Sequence, residues 1–275
     1  MSDISIRALD TVSLSDVAEL LSCAFESGTD GVAEWTALIE REAESCRLDP
    51  SASIVALAGE RIVGACLLNV GWNGFSRVGS TAVDPKAHRQ GIGRLLISDA
   101  LSNLGTRGAK RAVLEVDPEN NAAIGLYKSH GFVDRRGLST WSVRRSQLLS
   151  HTAVEVSAMD IAEAIELANQ LERPEPAFQR SAPYIGSFSL GVRALGIKEG
   201  SSWVAVLVQR GRDILELGIN PNYYNHLGAL LWAATSLSWE IRLMHQVDED
   251  PLCEVLAEAG FGVDSVAREM VKEEL

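Results

Sequence analysis

The feature that most constrains how this chain can fold is a strand that ends at a proline and leads through a glycine turn into a helix. The stretch runs from Val83 to Gly93, with Pro85 directly after the strand and Gly91 opening the helix. Proline cannot donate a hydrogen bond to a neighbouring strand, so it ends the strand here. Apolar residues then recur at helical spacing and predict one buried helix face. They are Ile92, Leu95, Leu96, Ile97, Ala100, Leu101 and Leu104.

A glycine turn at a helix start is a predicted anion site. The first backbone N–H groups of a helix have no partner within it, and the helix dipole favours negative charge at that end. Gly91 and Gly93 carry no Cβ, so a phosphate can approach the backbone closely. Taken alone, a single G-x-G pattern still favours an ordinary strand–turn–helix over a ligand site.

A second stretch changes that interpretation. Residues Val113–Phe132 resemble the second signature of the GNAT superfamily of acyl-CoA-dependent N-acetyltransferases, in which a strand ends near an Asn, a helix follows, and Leu-Tyr precedes Gly-Phe. Asn120 and Tyr127 hold the corresponding positions. The glycine turn resembles the first signature, Arg/Gln-x-x-Gly-x-Gly/Ala, with His88 in place of the usual Arg or Gln. The two signatures follow one another in the family's order.

The resemblance implies acetyl transfer from acetyl-CoA to a primary amine, which could be a small amine, a peptide N-terminus or a lysine. The turn would hold the pyrophosphate. The end of the preceding strand would pair with the pantetheine arm and polarise the thioester carbonyl through backbone N–H groups. The implied acetyl-CoA-binding residues are Ala82, Val83, His88, Arg89, Gln90, Gly91, Ile92, Gly93, Arg94, Asn120 and Tyr127.

Tyr127 stands at the family's general-acid position. A phenol with an ordinary pKa of about 10 is protonated at neutral pH and can donate to the departing sulfur. Asn120 precedes Tyr127 by seven residues, which is two helical turns, so we expect both to lie on one face of the helix. Core packing is the alternative role for Tyr127, and helix N-capping, which is compatible with cofactor contact, is the alternative role for Asn120.

Glu115 is the predicted general base. Its surroundings resemble those of enzymes that acetylate the N-terminus of a ribosomal protein, where this Glu takes the proton. The alternative is a solvated or ion-paired strand residue, and the two hypotheses stand even. Asp117 and a water-relayed path are further routes for the proton.

Charge and composition narrow the class of protein. The net charge is −12, and most of the acidic excess follows Leu148, which disfavours nucleic-acid binding. The acidic surface suits a cationic acceptor or simply maintains solubility. No apolar run approaches the roughly 18 residues of a membrane span. The residues from Met1 to Ile4 show no basic segment followed by an apolar one, so we expect no signal peptide. The four scattered cysteines are predicted to be reduced and mostly buried, and His and Cys show no metal-ligand spacing. We therefore expect a cytoplasmic protein without metal.

Repetition along the chain predicts an α/β (α+β) fold with two tandem GNAT-like domains, each a mixed, mostly antiparallel sheet flanked by helices. Residues 1–149 would form the catalytic domain and residues 150–275 a degenerate copy. Asn220-Pro221 parallels Asp84-Pro85, and Ala259-Gly260-Phe261 parallels the earlier Gly-Phe. The second copy is predicted to begin with a strand at Ala153–Val156. A tandem chain of this kind would act as a monomeric pseudo-dimer or as a homodimer.

The second copy lacks the chemistry of the first. Leu227 and Ala229 stand opposite the two glycines of the turn, Leu256 stands opposite the tyrosine, and Glu249 opposite the asparagine. Side chains at the turn would obstruct a phosphate, and a carboxylate would repel it. We therefore interpret the second copy as a structural partner.

Three other readings compete with this one. A non-catalytic acyl-CoA-binding or interaction module would keep the glycines without needing the phenol. A metabolite acetyltransferase of the mycothiol synthase type is also tandem, but it uses its second half for chemistry, whereas the intact motifs here lie in the first. A dinucleotide-binding Rossmann fold is disfavoured, because Leu96 occupies the place of the third glycine.

Overall fold

A computed structural model describes residues 4–28, 30–44, 47–71, 74–149, 154–171, 174–188 and 191–275. The chain divides into two compact units: unit 1 comprises residues 1–135 and 269–275, and unit 2 comprises residues 136–268. The predicted α/β fold with two mostly antiparallel, helix-flanked repeats is confirmed.

Unit 1 is a three-layer α/β arrangement. Its elements are β1 (Ile4–Ala8), α1 (Leu14–Ala24), α2 (Gly31–Glu44), β2 (Ile54–Ala58), β3 (Arg61–Asn69), β4 (Phe75–Val83), α3 (Ile92–Thr106), β5 (Arg111–Val116) and α4 (Asn121–Ser129). Alternate residues of β3 face opposite ways: Cys66 and Leu68 join the core under α3 and α4, whereas Ala65 and Leu67 join the core under α1 and α2. The strands are ordered β1-β2-β3-β4-β5, and only β4 and β5 run parallel.

The last strand of unit 1 comes from the far end of the chain. Residues 269–275 belong to unit 1, where Met270 lies in the same core cluster as Phe132. The backbone N–H of Leu275 donates to the carbonyl of Lys110, just before β5, over 3.3 Å. The strand that follows α4 in sequence, β6 (Val133–Arg144), passes into unit 2 from residue 136 onward. The predicted boundary at 149/150 divides the chain by the sequence order of the repeats. The compact units divide it differently, because most of β6 belongs to unit 2 and residues 269–275 belong to unit 1.

Unit 2 repeats this order in its own residues. After β6 come β7 (Ser157–Met159), α5 (Ile161–Gln170), α6 (Ala182–Gly186), β8 (Val192–Glu199), β9 (Ser202–Arg210), β10 (Asp213–Ile219), α7 (Leu227–Ala234), β11 (Glu240–Val247), α8 (Leu252–Glu258) and β12 (Gly262–Glu273). The strand predicted at Ala153–Val156 is wrong: residue 153 lies outside the described part, residues 154–156 are irregular, and β7 begins at Ser157. Asp160 ends β7 because its side chain caps α5.

Two predicted features of composition can be compared with the described residues. No helix among them is long and apolar enough to cross a membrane. Of the cysteines, Cys66 is buried, Cys253 is half-buried and Cys23 is exposed, while Cys46 lies outside the described residues.

Candidate active site

The site in unit 1 begins where β4 and β5 separate. These parallel strands pair from Phe75 with Arg111 to Arg77 with Val113, and no further register pairs join them. β4 continues to Val83, and a register shift between Cys66 and Leu68 of β3 marks a β-bulge in β4. The two strands therefore form a slot whose walls carry backbone groups that do not pair across it, and Ala82 and Val83 lie at the end of β4 on this slot.

The loop after β4 is built by local hydrogen bonds. The Asp84 carboxylate accepts the backbone N–H of Lys86 and a bond from Arg61, which lower its pKa. His88 is exposed, and its ring Nε2 lies 3.0 Å from the carbonyl oxygen of Val83. The imidazole thus braces the loop against the end of β4, which accounts structurally for a residue that departs from the family pattern.

The turn into α3 places its backbone in an unusual conformation. Arg89 has a φ of 61° and Gly91, the residue before α3, has a φ of 81°. A Cβ built on Gly91 meets no atom within 4 Å, so the space beside this backbone is open. In the part of the chain that the structure describes, no backbone hydrogen bond is formed by the N–H groups of residues 89–91. Gln90, Ile92, Gly93 and Arg94 complete the predicted cradle. An open face lined by N–H donors at a helix start fits a diphosphate.

Replacing Gly91 by alanine is expected to weaken acetyl-CoA binding about tenfold, because a Cβ intrudes on the donor face and an L residue resists this positive φ. Gly108 is a matched control, since it has a φ of 82°, open space around it and a position after the opposite end of α3. Isothermal titration with acetyl-CoA should show weaker binding for Gly91→Ala and wild-type binding for Gly108→Ala. Equal loss in both variants would refute the cradle.

Tyr127 lies in the last turns of α4 and is 8% exposed. Its ring packs edge-on against Phe132, with centroids 5.9 Å apart. Burial raises the pKa of the phenol to about 12, the nearby Cys66 adds to the rise, and a hydrogen bond with Thr81 opposes it. The hydroxyl is therefore a neutral proton donor across the whole physiological range, as a general acid requires.

Thr81 and Cys66 place a hydroxyl and a thiol beside this phenol. The Thr81 hydroxyl lies 3.3 Å from Cys66 Sγ and 3.3 Å from the carbonyl oxygen of Gly79. Burial raises the pKa of the fully buried Cys66 thiol to about 12, against a weaker opposing effect of the Thr81 bond. The thiol stays neutral and is therefore a poor nucleophile.

Glu115, the predicted base, is ion-paired. Its Oε2 accepts from Nε and from Nη2 of Arg77, each over 2.7 Å, and its side chain is 6% exposed. Nη1 of Arg77 donates to Oδ1 of Asn69 over 3.1 Å. Glu115 lies near Tyr127, because the charges of Glu115 and Arg77 both affect the pKa of the phenol. Glu115 is, however, held in its ion pair with Arg77. The catalytic role of Glu115 stays a prediction.

Asn120 and Asp117 both serve the loop before α4. Asn120 Oδ1 accepts the backbone N–H of Ala123 over 3.0 Å, so the asparagine is the N-cap of α4. Asp117 is exposed, and its carboxylate accepts the backbone N–H of Glu119 over 2.8 Å. The N-cap role of Asn120 leaves contact with the pantetheine arm possible through its amide nitrogen, and this contact remains a prediction.

The sequence analysis missed four polar residues of the slot: Arg77, Thr81, Cys66 and Asn69. The sequence did contain a signal for Arg77, because it is a charged residue in a predicted strand. A charged side chain inside a strand that is packed in a sheet needs an oppositely charged or hydrogen-bonding partner. Its partner across a strand separation cannot be deduced from sequence spacing. No group of three His, Cys, Asp or Glu able to hold a metal occurs among the residues that the structure describes.

Unit 2 keeps the strand separation but fills it. β10 and β11 pair only at Asp213 with Arg242 and Ile214 with Leu243. Beyond that point the buried Arg180 donates to Glu216 of β10 over 3.1 Å and to Gln246 of β11. The side chain that joins these two strands comes from the segment before α6. The corresponding space in unit 1 is bordered by Tyr127 instead.

The helix start of unit 2 also differs from the cradle. A short helical segment, Pro221–His226, runs directly into α7 without a left-handed residue. Leu227 and Ala229, which replace the glycines, are buried, and so is Leu256 in place of the tyrosine. Glu199 lies 3.0 Å from His226 and puts a carboxylate beside this helix start. These features disfavour a phosphate here.

In its described residues, unit 1 thus combines separated parallel strands, a helix start with unpaired backbone N–H groups and a buried phenol. Residues 14–132 match the family described as Acetyltransferase (GNAT) family. The match lies within unit 1 and covers both signatures.

Solved structures show the same fold over the whole chain. A GCN5-related N-acetyltransferase from Sphaerobacter thermophilus superposes with a TM-score of 0.71 and 15% identity, covering 98% of this chain and 95% of that one. A tandem GNAT protein from the clavulanic acid biosynthesis pathway gives a TM-score of 0.64 with 16% identity, covering 98% of each chain. The predicted tandem GNAT fold is confirmed.

Curated relatives match only part of the chain. A mycothiol acetyltransferase from Geodermatophilus obscurus is 36% identical over 106 residues, which are 36% of this chain and 34% of the relative. A ribosomal protein bS18-alanine N-acetyltransferase from Salmonella typhimurium is 49% identical over 51 residues, which are 18% of this chain and 34% of the relative. The chain thus spans about a third of the length of the curated relatives it matches.

Proposed function

We propose that unit 1 transfers an acetyl group from acetyl-CoA to a primary amine by direct attack. The backbone N–H groups of residues 89–94 bind the diphosphate, the free edge of β4 at Ala82 and Val83 aligns the pantetheine arm, and Tyr127 gives its proton to the departing thiolate. The amine nitrogen forms the new C–N bond as the C–S bond breaks, and the amine loses one proton. Most of the rate gain comes from positioning, with proton transfer contributing a further ~10²–10⁴-fold.

The observation that carries this proposal is a buried, neutral phenol at the separation of β4 and β5, next to a donor-lined helix start. A binding module would need the cradle but would gain nothing from a protonated phenol held by Thr81. The hydrogen bond with Thr81 offsets the cost of burying the hydroxyl and holds it at the strand separation, where a departing thiolate would need a proton.

Two classes of acceptor are supported by the relatives. One relative is named a ribosomal protein bS18-alanine N-acetyltransferase and another a mycothiol acetyltransferase. We infer that a peptide or small-molecule amine is the acceptor. For unit 2 we propose a structural role, supported by the Arg180 bridge and by the buried Leu227 and Ala229.

The experiment is a turnover assay that follows thiol release and acetylated product. The acceptors are a peptide with an N-terminal alanine, the same peptide blocked at its N-terminus but carrying lysine, and a set of small diamines and amino sugars. We expect acetyl-CoA-dependent product with at least one class. Binding of acetyl-CoA without product from any amine would favour the binding module and contradict the proposal.

The pH dependence of kcat should lack a descending limb below about pH 10, because burial keeps Tyr127 protonated up to a pKa of about 12. The same shift has a stability consequence with a definite sign. The unfolded phenol ionises at about pH 10, so the folded state loses stability between pH 10 and 12 and is unaffected below. A wild-type kcat that falls with an apparent pKa well under 10 would contradict this assignment.

A further inference from the structure

We propose that Arg77 is the positioning residue of the unit 1 site, and that Glu115 acts as its fixed ionic partner instead of taking the proton of the acceptor. This inference rests on the proposed acetyl transfer. It assigns a role to a residue that neither signature contains, and it changes the role predicted for Glu115.

The guanidinium of Arg77 is held at every nitrogen. Nε and Nη2 each lie 2.7 Å from Oε2 of Glu115, and Nη1 lies 3.1 Å from Oδ1 of Asn69. A planar guanidinium bound at three points has a fixed orientation. Arg77 therefore cannot bind an acceptor carboxylate without first releasing Glu115 or Asn69, and its role is to hold other groups in place.

These contacts tie three strands together where the slot begins. Arg77 is the last residue of β4 in register with β5, and Asn69 is its register partner on β3. Glu115 lies on β5 two residues beyond the last paired position, Val113. The ion pair thus spans the two strands at the point of separation and sets how far apart they stand. The pantetheine arm would run along the same separation.

The hold on Arg77 extends toward α2. Asn69 donates from Nδ2 to the carbonyl oxygen of Arg47. Arg47, whose side chain is fully buried, donates to both carboxylate oxygens of Glu42 over 2.9 and 3.0 Å. Glu42 lies near the end of α2. A bidentate Arg–Glu pair with a buried guanidinium is a firm anchor, so the orientation of Arg77 is fixed from two sides.

Gly79 explains how β4 accommodates this arrangement. A Cβ on Gly79 would lie 2.9 Å from Nη1 of Arg77, 2.9 Å from the carbonyl oxygen of Leu67 and 3.3 Å from Oδ1 of Asn69. Only glycine leaves room for the guanidinium beside the β-bulge. This crowding predicts a second way to disturb Arg77 without altering any charge.

The pairing argues against proton transfer to Glu115. Protonating the Glu115 carboxylate removes its attraction to Arg77, so the loss of the ion pair opposes proton transfer to Glu115. The charge of Arg77 lowers the pKa of Tyr127 and the charge of Glu115 raises it. The two charges therefore lie close to the phenol and offset one another there. Keeping the pair intact keeps the field at the acid constant.

The test compares four variants by kcat, by the KM for acetyl-CoA and by the pH profile of kcat. They are Arg77→Met, Glu115→Gln, the double variant of both, and Gly79→Ala. We expect about tenfold or smaller loss of kcat in Glu115→Gln with an unchanged pH profile, and about 10²-fold loss in Arg77→Met, which strands a buried charge beside the phenol. The double variant should recover activity relative to Arg77→Met, and Gly79→Ala should lose about threefold to tenfold.

Unit 2 offers a matched control. Arg242 places Nε and Nη2 at 2.9 and 2.8 Å from one oxygen of Asp213, where β10 pairs with β11. The double variant Arg242→Met/Asp213→Asn removes an ion pair of the same geometry and should leave kcat and KM within about twofold of the wild type.

Different results overturn different claims. A loss of 10²–10⁴-fold in Glu115→Gln, together with loss of the ascending limb of its pH profile and no recovery in the double variant, would make Glu115 the base and refute this inference. No product from the wild type with any amine would refute the proposed function instead. In that case the affinity for acetyl-CoA still tests the positioning role of Arg77. Binding that is about tenfold weaker in Arg77→Met and restored in the double variant would support this role. Equal affinities in all variants would refute it.

Discussion

Replacing Tyr127 by phenylalanine is expected to lower kcat about 10²–10³-fold while leaving the KM for acetyl-CoA close to that of the wild type. The phenol is buried and its pKa is raised to about 12, so it enters each turnover protonated. Phenylalanine keeps the edge-on packing against Phe132, at 5.9 Å between centroids, and removes only the hydroxyl. Steady-state kinetics with the acceptor found in the amine panel measures the effect.

Tyr224 of unit 2 provides the control for this experiment. It is a half-buried tyrosine whose pKa is raised by burial and by Asp250, yet it lies outside unit 1. Tyr224→Phe should keep wild-type turnover. A Tyr127→Phe enzyme with kcat within about threefold of the wild type would show that the thiolate leaves without this acid.

Replacing Arg180 by methionine is expected to destabilise unit 2 by about 3–5 kcal/mol, the cost of breaking a buried ion pair at one partner. The Arg180 and Glu216 side chains are 4% and 2% exposed, so the carboxylate left behind has no access to bulk water. Adding Glu216→Gln removes the stranded charge and should recover most of the loss. Urea unfolding followed by circular dichroism gives the free energies.

An exposed pair separates this effect from a general loss of charge. Arg212 lies 3.3 Å from Glu240 with half of its side chain in solvent. Arg212→Met should cost under about 1 kcal/mol. If Arg180→Met costs no more than Arg212→Met, or if Arg180→Met/Glu216→Gln recovers no stability, Arg180 does not bridge the separated strands of unit 2.

Local features of the fold were predictable from the sequence. Pro85 ends β4, Gly91 opens α3 and Asn120 caps α4, as the strand–turn–helix patterns indicate. Each of these depends on residues within a few positions of one another, and short-range rules of turns and caps decide them. The same locality made the second repeat recognisable despite its divergence.

Features that depend on distant residues were not predictable. The exchange of final strands between units joins residues 269–275 to unit 1, and no short-range pattern records which of two similar strands completes a sheet. The Arg77–Glu115 pair likewise joins residues 38 positions apart across two strands. The sequence left the base and the ion-paired roles of Glu115 even, and the contact with Arg77 supports the ion-paired role that we propose.

The measurement that tests the central claim most directly is a crystal structure of the full chain with acetyl-CoA, together with the binding stoichiometry in solution. We predict one acetyl-CoA per chain, with its diphosphate on the N–H groups of residues 89–94 and its sulfur within hydrogen-bond reach of the Tyr127 hydroxyl. A nucleotide bound in unit 2, or a Tyr127 hydroxyl directed away from the sulfur, would contradict it.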